Sequence, residues 1–228
     1  MAPAWFQSHQ DWRRYVEENT YSVLQVGGTD RARVRLLRCP DGRPALLKDF
    51  SKASWFYRST LGRLSIENEA AAYLAADPLA GVPCLLARPD SYSLLVEAIA
   101  GRSLNTIPRE THWLPFEIVE QARHLLDGLH RLGVAHGDLG HDADGWLGRD
   151  ANVLWGDDGQ LYLVDMASAI FRKRCPEAIF KAFCWHDRLL ITKILRRFFP
   201  DRDDQPEYHM HLNMSASQRR WLKFLKKI

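Results

Sequence analysis

A chain of 228 residues, 46% apolar and 26% charged, can bury one sizeable core and has ordinary globular composition, which excludes a disordered or fibrous class. A formal net charge of +3 is too small to argue for wholesale nucleic-acid binding, and no apolar run is long enough to span a bilayer. Cys39, Cys84, Cys175 and Cys184 form no CxxC pair and have no histidine at zinc-finger spacing; they read as thiols of a reducing compartment, with a disulfide pair the lesser alternative.

The opening stretch to about Asn19 reads as a helix, with Trp5, Phe6, Trp12 and Tyr15 among polar residues. It has no basic segment followed by an apolar one, so a cytoplasmic protein is expected. Three short strands follow, over 21–26, 32–37 and 44–50, separated by Gly27-Gly28-Thr29-Asp30 and Pro40-Asp41-Gly42, and joined as an antiparallel meander. Residues 64–76 favour helix, ended by Pro78, Gly81 and Pro83. A further apolar strand spans 93–97. An amphipathic helix covers about 115–132, with Ile118, Val119, Ala122, Leu125, Leu126 and Leu129 on one face and Gly133 as its C-cap. A polar loop over 136–150 precedes a hairpin of 153–155 and 161–164, and the remainder reads as helices, the clearest over about 185–199. Strands first and helices later predict an α+β chain of segregated lobes, about 1–100 and 101–228 of one domain, with the junction near Glu97 to Ser103.

Several polar residues interrupt this apolar frame. Lys48 stands in the strand Ala45-Leu46-Leu47-Lys48, where its ammonium must find an anion or reach solvent; Glu69 on the next helix is its natural partner, with Glu67 the competitor. His136-Gly137-Asp138 follows the long helix, and Asp138 is placed to accept or orient the proton of an attacking hydroxyl, His136 to hold the loop. Asn152 and Asp165 lie at one end of the hairpin (165 − 152 = 13), an amide and a carboxylate suited to Mg²⁺. Asp157 and Asp158 belong to the far turn and are expected only to be solvated.

In this order Lys48, Glu69, His136-Gly137-Asp138, Asn152 and Asp165 resemble the signature of the protein-kinase-like superfamily. Leu46-Leu47-Lys48-Asp49-Phe50, Thr60-Leu61-Gly62-Arg63, Gly81-Val82-Pro83 and the His-Gly-Asp-Leu stretch are similar to the bacterial lipopolysaccharide core kinases (Kdo and heptose kinases) and the RIO-type atypical kinases. The resemblance runs from about Tyr21 to Ala169. It implies a bilobal kinase-like fold, with a small β-rich N-lobe and a reduced, mainly helical C-lobe. It also implies transfer of the γ-phosphoryl group of ATP to a hydroxyl. Lys48 would bind the α/β-phosphates, Glu69 position it, Asp138 act as base, and Asn152 and Asp165 hold Mg²⁺. Gly27 and Gly28 would cover the phosphates, and the segment at Glu97 would receive adenine through backbone groups. The expected acceptor is a lipopolysaccharide core sugar, the alternatives being a protein serine or threonine, or a pseudokinase without turnover.

The chain departs from that pattern in three places. Its glycine loop is Gly27-Gly28-Thr29-Asp30-Arg31 rather than GxGxxG, with Arg31 and Arg33 as candidate charges. Fourteen positions separate Asp138 from Asn152 (152 − 138 = 14), an insertion in which Asp142, Asp144 and Asp150 are alternative metal ligands. Asp165 is followed by Met166-Ala167 rather than Phe-Gly. Lys52, Arg58 and Arg63 around Trp55, Phe56 and Tyr57, with the basic aromatic C-terminus, suit either anionic lipid at the inner face of the cytoplasmic membrane or a charged helix face over a core stripe. His209 and His211 form only a His-x-His.

Overall fold

Period-two alternation in the first hundred residues builds an antiparallel sheet whose faces carry different chemistry. The computed structural model describes residues 9–77, 79–109, 111, 113–139 and 152–210. Contacts divide the chain into two units, Met1–Pro78 with Val82–Ile99, and Leu79–Gly81 with Ala100–Ile228. Trp5, Phe6, the insertion before Asn152, His211 and the basic C-terminal run lie outside the described residues.

In the first unit, helix α1 (His9–Asn19) leads into strands β1 (Thr20–Gln25), β2 (Arg33–Arg38) and β3 (Pro44–Asp49). With β4 (Leu85–Asp90) and β5 (Ser93–Glu97) they form a sheet of order β1-β2-β3-β5-β4, every neighbouring pair antiparallel. The i, i+4 pair Trp12 and Val16 turns one side of α1 onto Leu37, Ala45, Leu47, Ala87 and Leu95. Strand β4 was not expected from the sequence. Arg88 and Pro89 break its alternation, and a proline is tolerated there because β4 is an edge strand with irregular register.

Between β3 and β4 the chain makes a short turn, α2 (Trp55–Tyr57), one π-turn over Arg58–Gly62, and helix α3 (Arg63–Ala76). The aromatic pair here covers no core stripe: Trp55 and Phe56 are 71% and 69% exposed. Only Tyr57 turns inward, against Phe50 at 5.8 Å between ring centroids.

In the second unit, β6 (Gly101–Ser103) precedes helix α4 (Glu117–Arg131), followed by β7 (Val134–Ala135), β8 (Val153–Gly156), β9 (Leu161–Leu163), β10 (Ile170–Phe171) and helix α5 (Glu177–Phe198). The hairpin β8–β9 gains β6 as a third strand, and β7 pairs with β10. Helix α4 stops as expected at Gly133, whose φ of 78° ends the helical path. Helix α5 begins at Glu177, earlier than the expected 185, because Pro176 at its N-cap gives up no helical hydrogen bond and Glu177 sits favourably in the first turn. All four cysteines are free thiols, and no helix among the described residues is long and apolar enough to cross a membrane.

Two tryptophans test this packing. Trp12→Ala empties a site 2% exposed and is expected to cost about 3–5 kcal/mol of unfolding free energy. Trp55→Ala, on the surface, is expected to stay within about 0.5 kcal/mol. Denaturant unfolding of both variants measures the difference; equal losses would contradict the burial described.

Candidate active site

In the first unit, alternation along β3 puts Ala45, Leu47 and Asp49 on one face and Leu46 and Lys48 on the other. Lys48 meets α3, where its Nζ donates to Oε2 of Glu69 at 2.9 Å. Both side chains are largely enclosed, 14% and 4% exposed. Glu67 points elsewhere and pairs with Arg63 on the exposed side, where the Arg63 hydrogen bond holds its carboxyl below the usual range. A buried ion pair loses much of its Coulomb energy to desolvation, so its value lies in fixing an ammonium at one place.

Gly27 has φ +87°, and a Cβ there would stand 3.1 Å from the Arg33 amide nitrogen, so this turn requires glycine. Gly28 only closes the turn, donating its N–H to Arg31 O at 3.2 Å. Arg33 contacts Glu17 of α1 at 3.7 Å. At Glu97 the backbone N–H donates to Cys84 O and the side chain accepts from Cys84 N–H, while Ala98 N–H donates to Pro44 O. Those two amides are therefore engaged within the unit.

In the second unit the loop after β7 is held from beneath. Asp187 of α5, fully buried, accepts the His136 N–H on Oδ2 at 2.7 Å and the Gly137 N–H on Oδ1 at 2.9 Å, and its Oδ2 lies 3.0 Å from His130 Nε2. Gly137 has φ +80°, and a Cβ there would come within 2.6 Å of Ser168 O, so no other residue fits. Lys193, one further turn and a half along α5, donates to Leu139 O at 3.3 Å. His136 is buried and its Nε2 lies 3.0 Å from Val164 O, the holding role expected of it. Beside Asp187 the Cys184 thiol is pushed up to about 12 by burial and then by that carboxylate, so it stays protonated.

Neither Asp187 nor Lys193 was singled out in the sequence. The signal was present: with Phe180, Leu190, Ile191 and Ile194, Asp187 continues the buried stripe of α5, where a carboxylate needs donors.

Asp138 and Asn152 are adjacent despite their separation in sequence. The Asn152 Nδ2 donates to Asp138 O at 2.9 Å and lies 3.4 Å from Asp138 Oδ2. Val164 N–H donates to Asn152 O at 3.0 Å, which brings the hairpin ends together and sets Asp165 beside Asn152 in the chain path. Asp165 is exposed and left-handed (φ 57°, ψ 69°), the one non-glycine residue with positive φ among those described. The far turn is more than solvated: Asp158 accepts the Tyr162 hydroxyl at 2.7 Å and the Gln160 amide, and the Tyr162 hydrogen bond holds its carboxyl below the usual range.

For Mg²⁺ the donor set fits. With its Nδ2 donating to Asp138, Asn152 keeps Oδ1 as an acceptor, and Asp165 offers an exposed carboxylate. Among the described residues no group of three or more His, Cys, Asp or Glu gathers as a metal cage; the alternative ligands Asp142, Asp144 and Asp150 lie outside the described residues.

The Asp187 clamp predicts a graded loss. Asp187→Ala strands two amides and is expected to cost about 3–5 kcal/mol of stability, while Asp187→Asn, which keeps one acceptor, should cost roughly half as much. Denaturant unfolding checks both, and a loss below about 1 kcal/mol for alanine would mean that the loop is held by something else.

No family model matches the chain, and no curated protein does. Among solved structures the chain is similar to the Rio2 kinase from Chaetomium thermophilum, with TM-score 0.58 and 13% identity over 95% of this chain and 75% of that one. The ADP/Mg2+-phosphoaspartate complex of the same kinase matches at TM-score 0.58 and 13% identity, over 95% and 74%. At such identity the likeness speaks for the fold alone. The chain has the protein-kinase-like bilobal fold, with a β-rich first lobe and a mainly helical second one.

Proposed function

We propose that the chain is an ATP- and Mg²⁺-dependent phosphotransferase acting on a hydroxyl acceptor. The observation that carries this reading is the Asn152 amide donating to the Asp138 carbonyl, which leaves the Asn152 side-chain oxygen available to a cation and fixes the backbone of a candidate base. The enclosed Lys48–Glu69 pair supports it independently.

In this reading Lys48, held by Glu69, neutralises phosphate charge. Asn152 Oδ1 and the Asp165 carboxylate hold the cation, which when bound supplies charge neutralisation to the transferring group. Asp138 orients the acceptor hydroxyl and takes its proton, and Asp187 keeps that loop from moving as charge develops nearby. The left-handed backbone at Asp165 costs about 1 kcal/mol relative to glycine, and local strain of this kind clusters at sites where direction matters.

For the acceptor, the likeness of the strand and loop motifs to lipopolysaccharide core kinases favours a core sugar of a lipid-linked saccharide, with the protein peripheral at the inner membrane face. The structural likeness to Rio2 favours a protein serine or threonine as the second reading. Labelled γ-phosphate recovered in lipid fractions supports the first, and in protein fractions the second.

Purified protein is expected to turn over ATP in the presence of Mg²⁺. Asp138→Ala should lower turnover by a factor on the order of 10² to 10⁴. Asp165→Gly should abolish it while leaving the thermal midpoint equal or higher, because glycine relaxes the left-handed backbone. Folded wild-type protein without turnover would mark a pseudokinase, and turnover unchanged in both variants would remove the proposed roles.

A further inference from the structure

The sheet face opposite Lys48 holds a second ionic cluster that phosphoryl transfer does not use. Arg33, Arg35 and Leu37 of β2 share a face with Ala45, Leu47 and Asp49 of β3, and α1 covers it. A cavity of about 130 Å³ lies there, lined by Arg13, Glu17, Arg33, Arg35, Asp49 and Lys52 among others. At roughly 30 Å³ of liquid volume per water, it has room for about four waters or one tetrahedral oxyanion.

Arg35 is the unusual member. It is 3% exposed, and its Nε is buried with no hydrogen-bond partner. Its Nη1 donates to Glu17 Oε1 at 2.6 Å, but its Nη2 reaches Asp49 Oδ2 only at 3.5 Å. Asp49 has stronger commitments: Oδ1 accepts from Ser51 N–H at 2.7 Å and Ser93 Oγ at 3.2 Å, and Oδ2 from Ser51 Oγ at 2.9 Å. Its Nε is sealed even from water, so the guanidinium donor with capacity to spare for an anion is Nη2, whose one contact, to Asp49, is long.

The surrounding charge has the same sign. Four cations line the cavity against two carboxylates. Arg13 is paired with Asp90 at 3.0 Å, but Arg33 has only the 3.7 Å contact to a Glu17 already bound by Arg35, and Lys52 makes no ion pair among the described residues.

We infer that this cavity between α1 and the β2–β3 strands binds a small tetrahedral oxyanion, either free phosphate or a phosphomonoester, with Arg35 Nη2, Arg33 and Lys52 as its ligands. The site lies beside Asp49, on the face of β3 opposite its neighbour Lys48. This site does not depend on the proposed kinase activity.

The test measures thermal midpoint against inorganic phosphate, with chloride at matched ionic strength as control, and repeats it with glycerol 3-phosphate. Phosphate is expected to raise the midpoint of the full chain beyond chloride and to shift the Arg35 Nε–H resonance. The response should persist in Lys48→Met, and its half-saturating concentration should rise at least tenfold in the surface double variant Arg33→Gln/Lys52→Gln, checked for folding by circular dichroism. Glycerol 3-phosphate acting equally well identifies a site open to monoesters; action by phosphate alone identifies one for the free ion. A response no larger than chloride, one unchanged in the double variant, one lost in Lys48→Met, or an unmoved Arg35 resonance would each overturn the inference.

Discussion

A single buried carboxylate organises the second lobe. Asp187 has lost essentially all its water, a loss of several kcal/mol that only strong donors can offset. Two consecutive backbone amides and a histidine nitrogen supply them, all from the chain just around β7. The arrangement works in both directions. The helix needs the amides to satisfy its charge, and the amides need the helix because the left-handed Gly137 turns them away from any strand partner. Helix α5 is held in that position by its apolar stripe, including Phe180, Leu190, Ile191 and Ile194, all essentially inaccessible. Ordinary hydrophobic packing thus sets a loop whose described residues carry no hydrophobic anchor beyond Leu139.

Strand β3 shows a related economy in the first lobe. Neighbouring residues Lys48 and Asp49 point to opposite faces, and each enters an enclosed ionic group, with Glu69 on one side and Arg35 and two serines on the other. Neither group is favourable compared with well-packed apolar residues. Together they define where the strand can sit, since a slip of one residue would exchange the faces and strand both charges. The positional certainty of the Lys48 ammonium comes from this two-sided constraint as much as from Glu69 alone.

The elements that could be read in the sequence were those whose pattern is local. The meander of β1–β3, the α4 period and the β8–β9 hairpin have apolar periodicity and turn residues within a few positions of each other. Lys48 and Glu69 were legible for the same reason: a charge inside an apolar strand and an acid on the next helix. Strand β4 was hidden by Pro89, β6 by its three-residue length, and the early turns of α5 by Pro176. Asp187 itself left a signal in the buried stripe of α5, but what it holds was obscured. The two amides it accepts from lie 50 and 51 positions earlier, and they are main-chain groups that no side-chain pattern announces. The Arg35 cluster was unreadable because alternating arginines on a strand look like a solvated face until α1 is seen to cover them.

The long separation of Asp138 and Asn152 departs from the spacing of the kinase-like signature, yet the fold brings the two residues together. Asn152 follows the insertion and Asp138 precedes it, and one hydrogen bond of 2.9 Å joins the two ends. Closing a loop of this length costs only a slowly growing entropy, so lengthening it changes little once its base is pinned. The same bond dictates the residue type. An aspartate at 152 would face the Asp138 carbonyl with an acceptor and stand near its carboxylate with a like charge, whereas asparagine supplies the donor there and keeps its oxygen as a further acceptor. The amide at 152 therefore answers the Asp138 carbonyl first and its carboxylate second, and the spacing between the two residues in sequence is free to vary.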